Sequence, residues 1–319
     1  VKVFSVKFLL MAAMLGVASS AAAAPKVVAS IKPVHALVAA VMDGVATPTL
    51  LLDNRASPHD FALKPSAARA INEADVVFWI GDALEGFLVR PLAAAPRVRS
   101  VELADAPNLK TLAPREGGVW EAHQHGAEAH GAHDHDEHEH EGEDEHGHHL
   151  DPHIWLDPAN ARAMAAYIVS TLSEVDAAHA ERYRANGQRL DGELAALQEQ
   201  LAKRVEAVRG RPYVVFHDAY QYFEARYGLQ AVGSITVSPE LKPSAQRLRA
   251  VREKIAQSGA RCVFAEPQFD PALIATLIEG TPARAGRLDP LGVDVPAGPA
   301  AYTQTLTELA DGFVDCLSH

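Results

Sequence analysis

Basic residues are in deficit in this sequence: 29 Lys and Arg face 41 Asp and Glu, for a formal net charge of -12. The electrostatic footprint of a nucleic-acid-binding protein is therefore missing, and no nucleic-acid partner is expected. A Walker A phosphate loop is also absent, so any ATP hydrolysis coupled to this chain belongs to another protein. So is HExxH, the helix-borne zinc motif of metalloproteases. No long hydrophobic run occurs: the apolar stretch from Phe8 to Ala18 is short of the roughly 20 residues that span a bilayer, and no stop-transfer charges follow it. No cysteine lies near its end, which argues against a lipid anchor, and the only two, Cys262 and Cys316, come far later.

What the chain has instead is acid and histidine, concentrated in one place. No Lys or Arg intervenes between Arg115 and Arg162, and from Glu121 to His149 the chain reads EAHQHGAEAHGAHDHDEHEHEGEDEHGHH. Of the 16 histidines, ten lie in this tract: His123, His125, His130, His133, His135, His138, His140, His146, His148 and His149. Neutral imidazole is a good ligand for zinc, copper or nickel, and neighbouring carboxylates add negative potential that concentrates cations. With almost no large apolar side chains, the tract cannot bury enough surface to offset its ordering entropy. It is expected to be a mobile loop of weak auxiliary metal sites that captures metal better than it discriminates between metals.

Residues 1–24 read as a secretory signal peptide. Lys2 and Lys7 flank the start, an apolar stretch follows, and Ala21 to Ala24 offers an A-x-A cleavage site, with cleavage expected near Ala24. Export suits the cysteines. Cys262 lies in the strand-like stretch Arg261 to Ala265, and Cys316 near the end of the amphipathic segment Tyr302 to Leu317. A disulfide would staple the last helix to a sheet; two buried free thiols are the alternative.

The nearly 300 residues beyond the leader are enough for two domains. Val27 to Ile31, Thr49 to Leu52 and Val76 to Ile80 read as strands, alternating with helical patterns at Val34 to Met42 and after Lys64-Pro65-Ser66, with Ser66 as N-cap. That alternation implies a parallel α/β lobe. Asp157-Pro158 starts a helix, Asp as cap and Pro in the first turn. Helical propensity then continues to Val208, broken near Asn186-Gly187, and Leu190, Leu194, Leu197, Leu201, Val205 and Val208 form one apolar stripe. A second α/β series follows: strands at Tyr213 to Phe216, Gln230 to Ile235 and Cys262 to Ala265, with helices at Ala219 to Tyr227, Ser244 to Ser258 and Pro271 to Ile278. The fold class expected is α/β, two lobes with parallel sheets joined by one long helix. The boundaries are 25–185 for the first lobe, with the histidine tract at 121–149, then 186–209 for the linker helix and 210–319 for the second lobe.

Three of the six histidines outside the tract occupy similar places. His59 follows a strand and the loop DNRAS, His153 in DPHIWLDP precedes a helix start, and His217 in VVFHDAY ends an apolar strand. Open parallel sheets bind ligands beyond the carboxyl ends of their strands. With Asp289 in RLDPLG, three imidazoles and one carboxylate make a tetrahedral zinc set, placed in the interlobe cleft because the ligands come from both halves. Asp60 and Asp218 directly follow two of these histidines and are candidates to orient the imidazoles. His35 is a minor ligand candidate; His179 and His319 look incidental.

At these residues the chain resembles the ZnuA-like zinc-specific solute-binding proteins of bacterial ABC transporters. The motifs run through essentially the whole mature chain: SIKPVHALVAAVMDG, SPHDFALKPSAARAINEADVVFWIG, DPHIWLDPANARAMA, VVFHDAYQYFEARYGL, SPELKPSAQRL, CVFAEPQFD and LDPLG. The resemblance implies a periplasmic carrier, not an enzyme, with Zn2+ as transported ligand. It makes His59, His153 and His217 the principal ligands, and Asp289 the match to a carboxylate that completes the site in some members, where others use water or another carboxylate. It supports a Cys262–Cys316 disulfide. Manganese-binding relatives carry Glu where this chain has His217, and imidazole in place of a hard carboxylate favours zinc. The partners implied are a membrane permease with its separate ATPase, and a periplasmic metallochaperone; the chain itself is expected to be a monomer with limited domain closure.

Two other readings compete. An exported zinc hydrolase is suggested by His133, His135 and His138 around Glu137, although repetitive His and acid runs generate such matches easily, and the tract lacks strands to hold catalytic ligands rigid. A zinc storage or chaperone protein would work chiefly through the tract.

Overall fold

The computed structural model describes residues 23–52, 56–115, 120, 150–236, 243–269 and 272–319. Most of the expected leader and the whole histidine tract lie outside the described residues.

The first half builds β1 (Val27–Ala29), α1 (Lys32–Val41), β2 (Thr49–Leu50), α2 (Pro65–Glu73), β3 (Val76–Trp79), α3 (Asp82–Ala93) and β4 (Arg99–Glu102). Two long helices follow, α4 (Pro158–Val175) and α5 (Ala180–Arg204). The second half comprises β5 (Pro212–Val215), α6 (Gln221–Tyr227), β6 (Gln230–Ser234), α7 (Ala245–Ser258), β7 (Cys262–Ala265), α8 (Ala272–Ile278), β8 (Arg284–Arg287) and α9 (Ala301–Leu317). Each half carries a four-stranded sheet, ordered β2-β1-β3-β4 and β6-β5-β7-β8, and every strand pair is parallel. The central strands are buried along their length, as parallel strands covered on both faces must be. Among the described residues no helix is long and apolar enough to cross a membrane.

Several helix starts follow their local chemistry. Asp157 caps α4 by accepting from the Ala159 amide at 2.9 Å, with Pro158 in the first turn. Ser244 caps α7 by accepting from the Arg247 amide at 3.1 Å, and Gly259 closes that helix in the left-handed region at φ 65°. Ser66 is not a cap: Pro65 already stands in the first turn of α2, so the N-cap is Lys64 and Ser66 is helical.

The expected break at Asn186-Gly187 is absent, because α5 runs unbroken from Ala180 and the chain turns earlier, between Val175 and His179. Both residues serve packing. A β-carbon on Gly187 would come within 2.5 Å of a Val169 methyl, so glycine lets α4 and α5 approach closely. Asn186 Nδ2 donates to the carbonyls of Val41 at 2.9 Å and Asp43 at 2.8 Å, closing the end of α1.

The stripe Leu190, Leu194, Leu197 and Leu201 is buried on α5. It belongs to one apolar core that runs from β1 through α1, α4 and α5 to α9 and so spans both halves, while a second cluster around Phe216, Val251 and Val263 lies within the second half. The C-terminal helix α9 lies against α1, α5 and β8, and a Cys262–Cys316 disulfide ties it to β7. Two helices thus bridge the sheets, and their carboxyl edges share one cleft.

Candidate metal centre

His59 sits in the turn between β2 and α2, His153 immediately before the short 3-10 turn Ile154–Leu156 that leads into α4, and His217 just past the end of β5. The fold brings the three together. Their ring centroids are 5.2, 5.3 and 5.6 Å apart. His153 Nε2 lies 3.3 Å from His59 Nε2 and 3.3 Å from His217 Nε2. Among the described residues they are the one group of metal-ligating side chains whose ligand atoms all lie within 4.8 Å of one another.

That spacing suits a shared cation. A cluster of neutral imidazoles presenting lone pairs to each other is repulsive, whereas a shared cation turns each lone pair into a bond. Zinc–nitrogen bonds of about 2.0–2.1 Å at tetrahedral angles put neighbouring nitrogens about 3.3 Å apart. His153 Nε2 stands at that spacing from both of its neighbours.

Carboxylates fix two of the rings from behind. His153 Nδ1 is 2.7 Å from Asp151 Oδ1, and His217 Nδ1 is 2.7 Å from Glu266 Oε1. With the proton on Nδ1, donated to the carboxylate, Nε2 is left as the lone pair facing the pocket, and the ligand becomes more basic. Asp151 is itself held, since its Oδ2 accepts from Gln221 Nε2 at 3.1 Å and its carbonyl from the Tyr222 hydroxyl at 2.8 Å. His153 and His217 are 2% and 4% exposed while His59 is half-buried, so the two rings bound to carboxylates are also the two enclosed by the protein.

The orienting acids are not those expected from adjacency. Asp60 is exposed. Asp218 turns away from His217 to accept from Arg115, whose guanidinium also pairs with Glu224 at 2.8 Å and stacks over Trp120 at 3.9 Å. Successive side chains leaving a strand point to opposite sides, which separates His217 from Asp218. Glu266 reaches His217 because β7 is the parallel neighbour of β5 and ends at the same edge. A signal was present in the sequence: Glu266 directly follows the strand, and Asp151 stands two residues before a ligand.

Asp289 is not in the histidine group. Its carboxylate accepts from the backbone amides of Leu291 at 3.1 Å and Val293 at 2.7 Å, closing a tight turn, and burial raises its pKa above the usual range. His35 lies inside α1 with Nε2 3.1 Å from the Pro48 carbonyl, and His179 pairs with Asp176 at the α4–α5 corner; neither joins the centre.

Residues 27–316 match the family model for the periplasmic component A of the zinc-uptake complex, ZnuA. The chain belongs to the ZnuA family. This family member is 46% identical to the high-affinity zinc uptake system protein ZnuA of Brucella suis over 98% of each chain, and 37% identical to that of Yersinia pestis over 92% of each. A crystal structure of ZnuA superposes on 92% of this chain and 99% of its own with a TM-score of 0.74 at 23% identity, which establishes the shared fold. The two-sheet architecture with one long helix is thus that of ZnuA-type solute-binding proteins.

Proposed function

We propose that this chain is the zinc-capturing component of an ABC uptake system: it binds one Zn2+ through Nε2 of His59, His153 and His217 in the periplasm and delivers it to a membrane permease driven by a separate ATPase. The observation that carries the reading is the convergence of three imidazoles, with His153 Nε2 at the 3.3 Å spacing of a tetrahedral zinc site from both His59 Nε2 and His217 Nε2, and with the His153 and His217 rings each bound to a carboxylate. All-imidazole ligation favours zinc over harder cations such as manganese. A fourth ligand completes the tetrahedron, either water or Asp289 after exchange of its amide hydrogen bonds. The protein acts as a monomer and carries out no chemistry on its cargo. The ten tract histidines add weaker sites whose occupancy raises total stoichiometry above one.

Chelator competition with purified wild type and with His59→Ala, His153→Ala and His217→Ala tests this assignment. Loss of tight binding in each variant, with weak binding retained, is the expected result. Tight binding that survives in all three refutes it.

A further inference from the structure

Lys32 opens α1 in the first half of the chain, yet its ammonium grips the far end of the sequence. Nζ donates to the carbonyls of Gly292 at 2.6 Å, Val293 at 2.8 Å and Val295 at 2.7 Å. The residue is buried, so these charge-assisted hydrogen bonds act where the dielectric is low. A compact ammonium with three donors suits three carbonyls converging on one point, which a planar guanidinium would not.

The segment held in this way is a strap. It follows β8, is folded on itself by the Asp289 carboxylate, and supplies Pro290 and Leu291 to the wall of the histidine pocket. Trp155 also fastens it, donating from Nε1 to the Pro290 carbonyl at 2.8 Å, with its ring centroid 5.3 Å from that of His153. On the Lys32 side a small cavity lies between the strap residues Leu291 and Val293 and the residues Leu52 and Ala56 that lead to His59. The cavity is about the size of a single water molecule, and Lys32 borders it.

We propose that Lys32 is a positioning residue that latches the strap and so sets the rate at which metal leaves the pocket. The proposal rests on the zinc-binding reading above. The test is zinc release from the full-length protein into excess EDTA, followed by stopped flow, together with hydrogen exchange of the strap amides. Lys32→Met should release zinc at least about tenfold faster, the low end of what loss of hydrogen bonds to a charged group costs. The association rate should stay within about threefold, because escape rather than encounter is altered, and exchange at Leu291 and Val293 should rise. A purely stabilising lysine would lower the melting temperature of zinc-free protein and leave the release rate unchanged, which overturns the latch. Gly292→Ala provides a second perturbation from the strap side: at φ 64°, with an added Cβ 2.1 Å from Thr305 Oγ1, it displaces the strap, including the carbonyl that Lys32 holds, while keeping the lysine itself, and should also accelerate release. Wild-type release rates in both variants overturn the proposal. Failure of the wild type to hold zinc refutes the proposed function and the latch with it, whereas tight binding with latch-independent release refutes the latch alone.

Discussion

Replacing Glu266 by Gln alters one side-chain atom, keeps its volume and leaves His217 in place, yet it should weaken zinc binding strongly. In the native protein Glu266 Oε1 accepts from His217 Nδ1 at 2.7 Å, and both groups are buried. The carboxylate favours the tautomer with its proton on Nδ1 and, on the proposed assignment, adds negative charge behind an imidazole that would donate electron density to the metal. A glutamine retains at best a neutral hydrogen bond. If its amide turns so that nitrogen faces the ring, it donates to Nδ1 and moves the imidazole proton to Nε2, where it blocks coordination. Loss of such an outer partner typically costs 10–100-fold in metal affinity, or about 1.4–2.7 kcal/mol. Asp151→Asn should act on His153 in the same way and by a similar factor. Competition against a chromophoric chelator at neutral pH measures both, with circular dichroism to confirm folding. Unchanged affinity in both variants would show that the rings are positioned by packing alone and that the carboxylates have no part in ligation.

Two further outcomes follow from the fold. Removing the disulfide through Cys262→Ser with Cys316→Ser releases a loop with a separation of 54 residues, which the chain-entropy model equates with a loss of about 4 kcal/mol; urea unfolding checks it, and an unchanged midpoint would refute a stabilising role. Glu85, fully buried and accepting from the Ile80 amide at 2.8 Å, has its pKa pushed up to about 7 from 4.5 by burial. The folded state then binds a proton more readily than the unfolded state across that interval, so stability falls as pH rises through it. Glu85→Gln should stabilise the protein at pH 8 by up to about 3 kcal/mol and by little at pH 4, and equal effects at both pH values would exclude the mechanism.

The strands that cross the interior and the long helix α5 were readable directly, because continuous apolar runs and leucines spaced three and four apart have few alternative meanings. The cap Asp157 was readable because its chemistry is local. Apart from the Ser66 cap, displaced by one turn-opening proline, what failed was non-local. Asn186-Gly187 reads as a helix breaker by propensity, yet the contact of Gly187 with Val169 and the bonds of Asn186 to the end of α1 exist only after the helices dock. Asp218 lies next to a ligand in sequence but is bound to Arg115, whereas Glu266, 49 residues away, is the partner of His217. Strand adjacency in a parallel sheet is set by crossovers, and it is that adjacency which selected the orienting acid. The strand β4, with the mixed sequence RSVE, carries no periodic signal and gains its place only by pairing with β3.

The two ends of the histidine tract are joined before the tract begins. The Asp151 amide donates to the Leu112 carbonyl at 2.8 Å, Tyr222 accepts from the Leu112 amide at 3.0 Å, and Gln221 bridges the Ala113 carbonyl and Asp151. Closing a loop costs only about 0.6 kcal/mol more for each doubling of its length. Sequence between these anchors can therefore lengthen, shorten or change its number of imidazoles while the ring of His153, one turn of chain beyond Asp151, keeps its orientation. Evolution can thus change the number of tract histidines independently of the geometry of His59, His153 and His217.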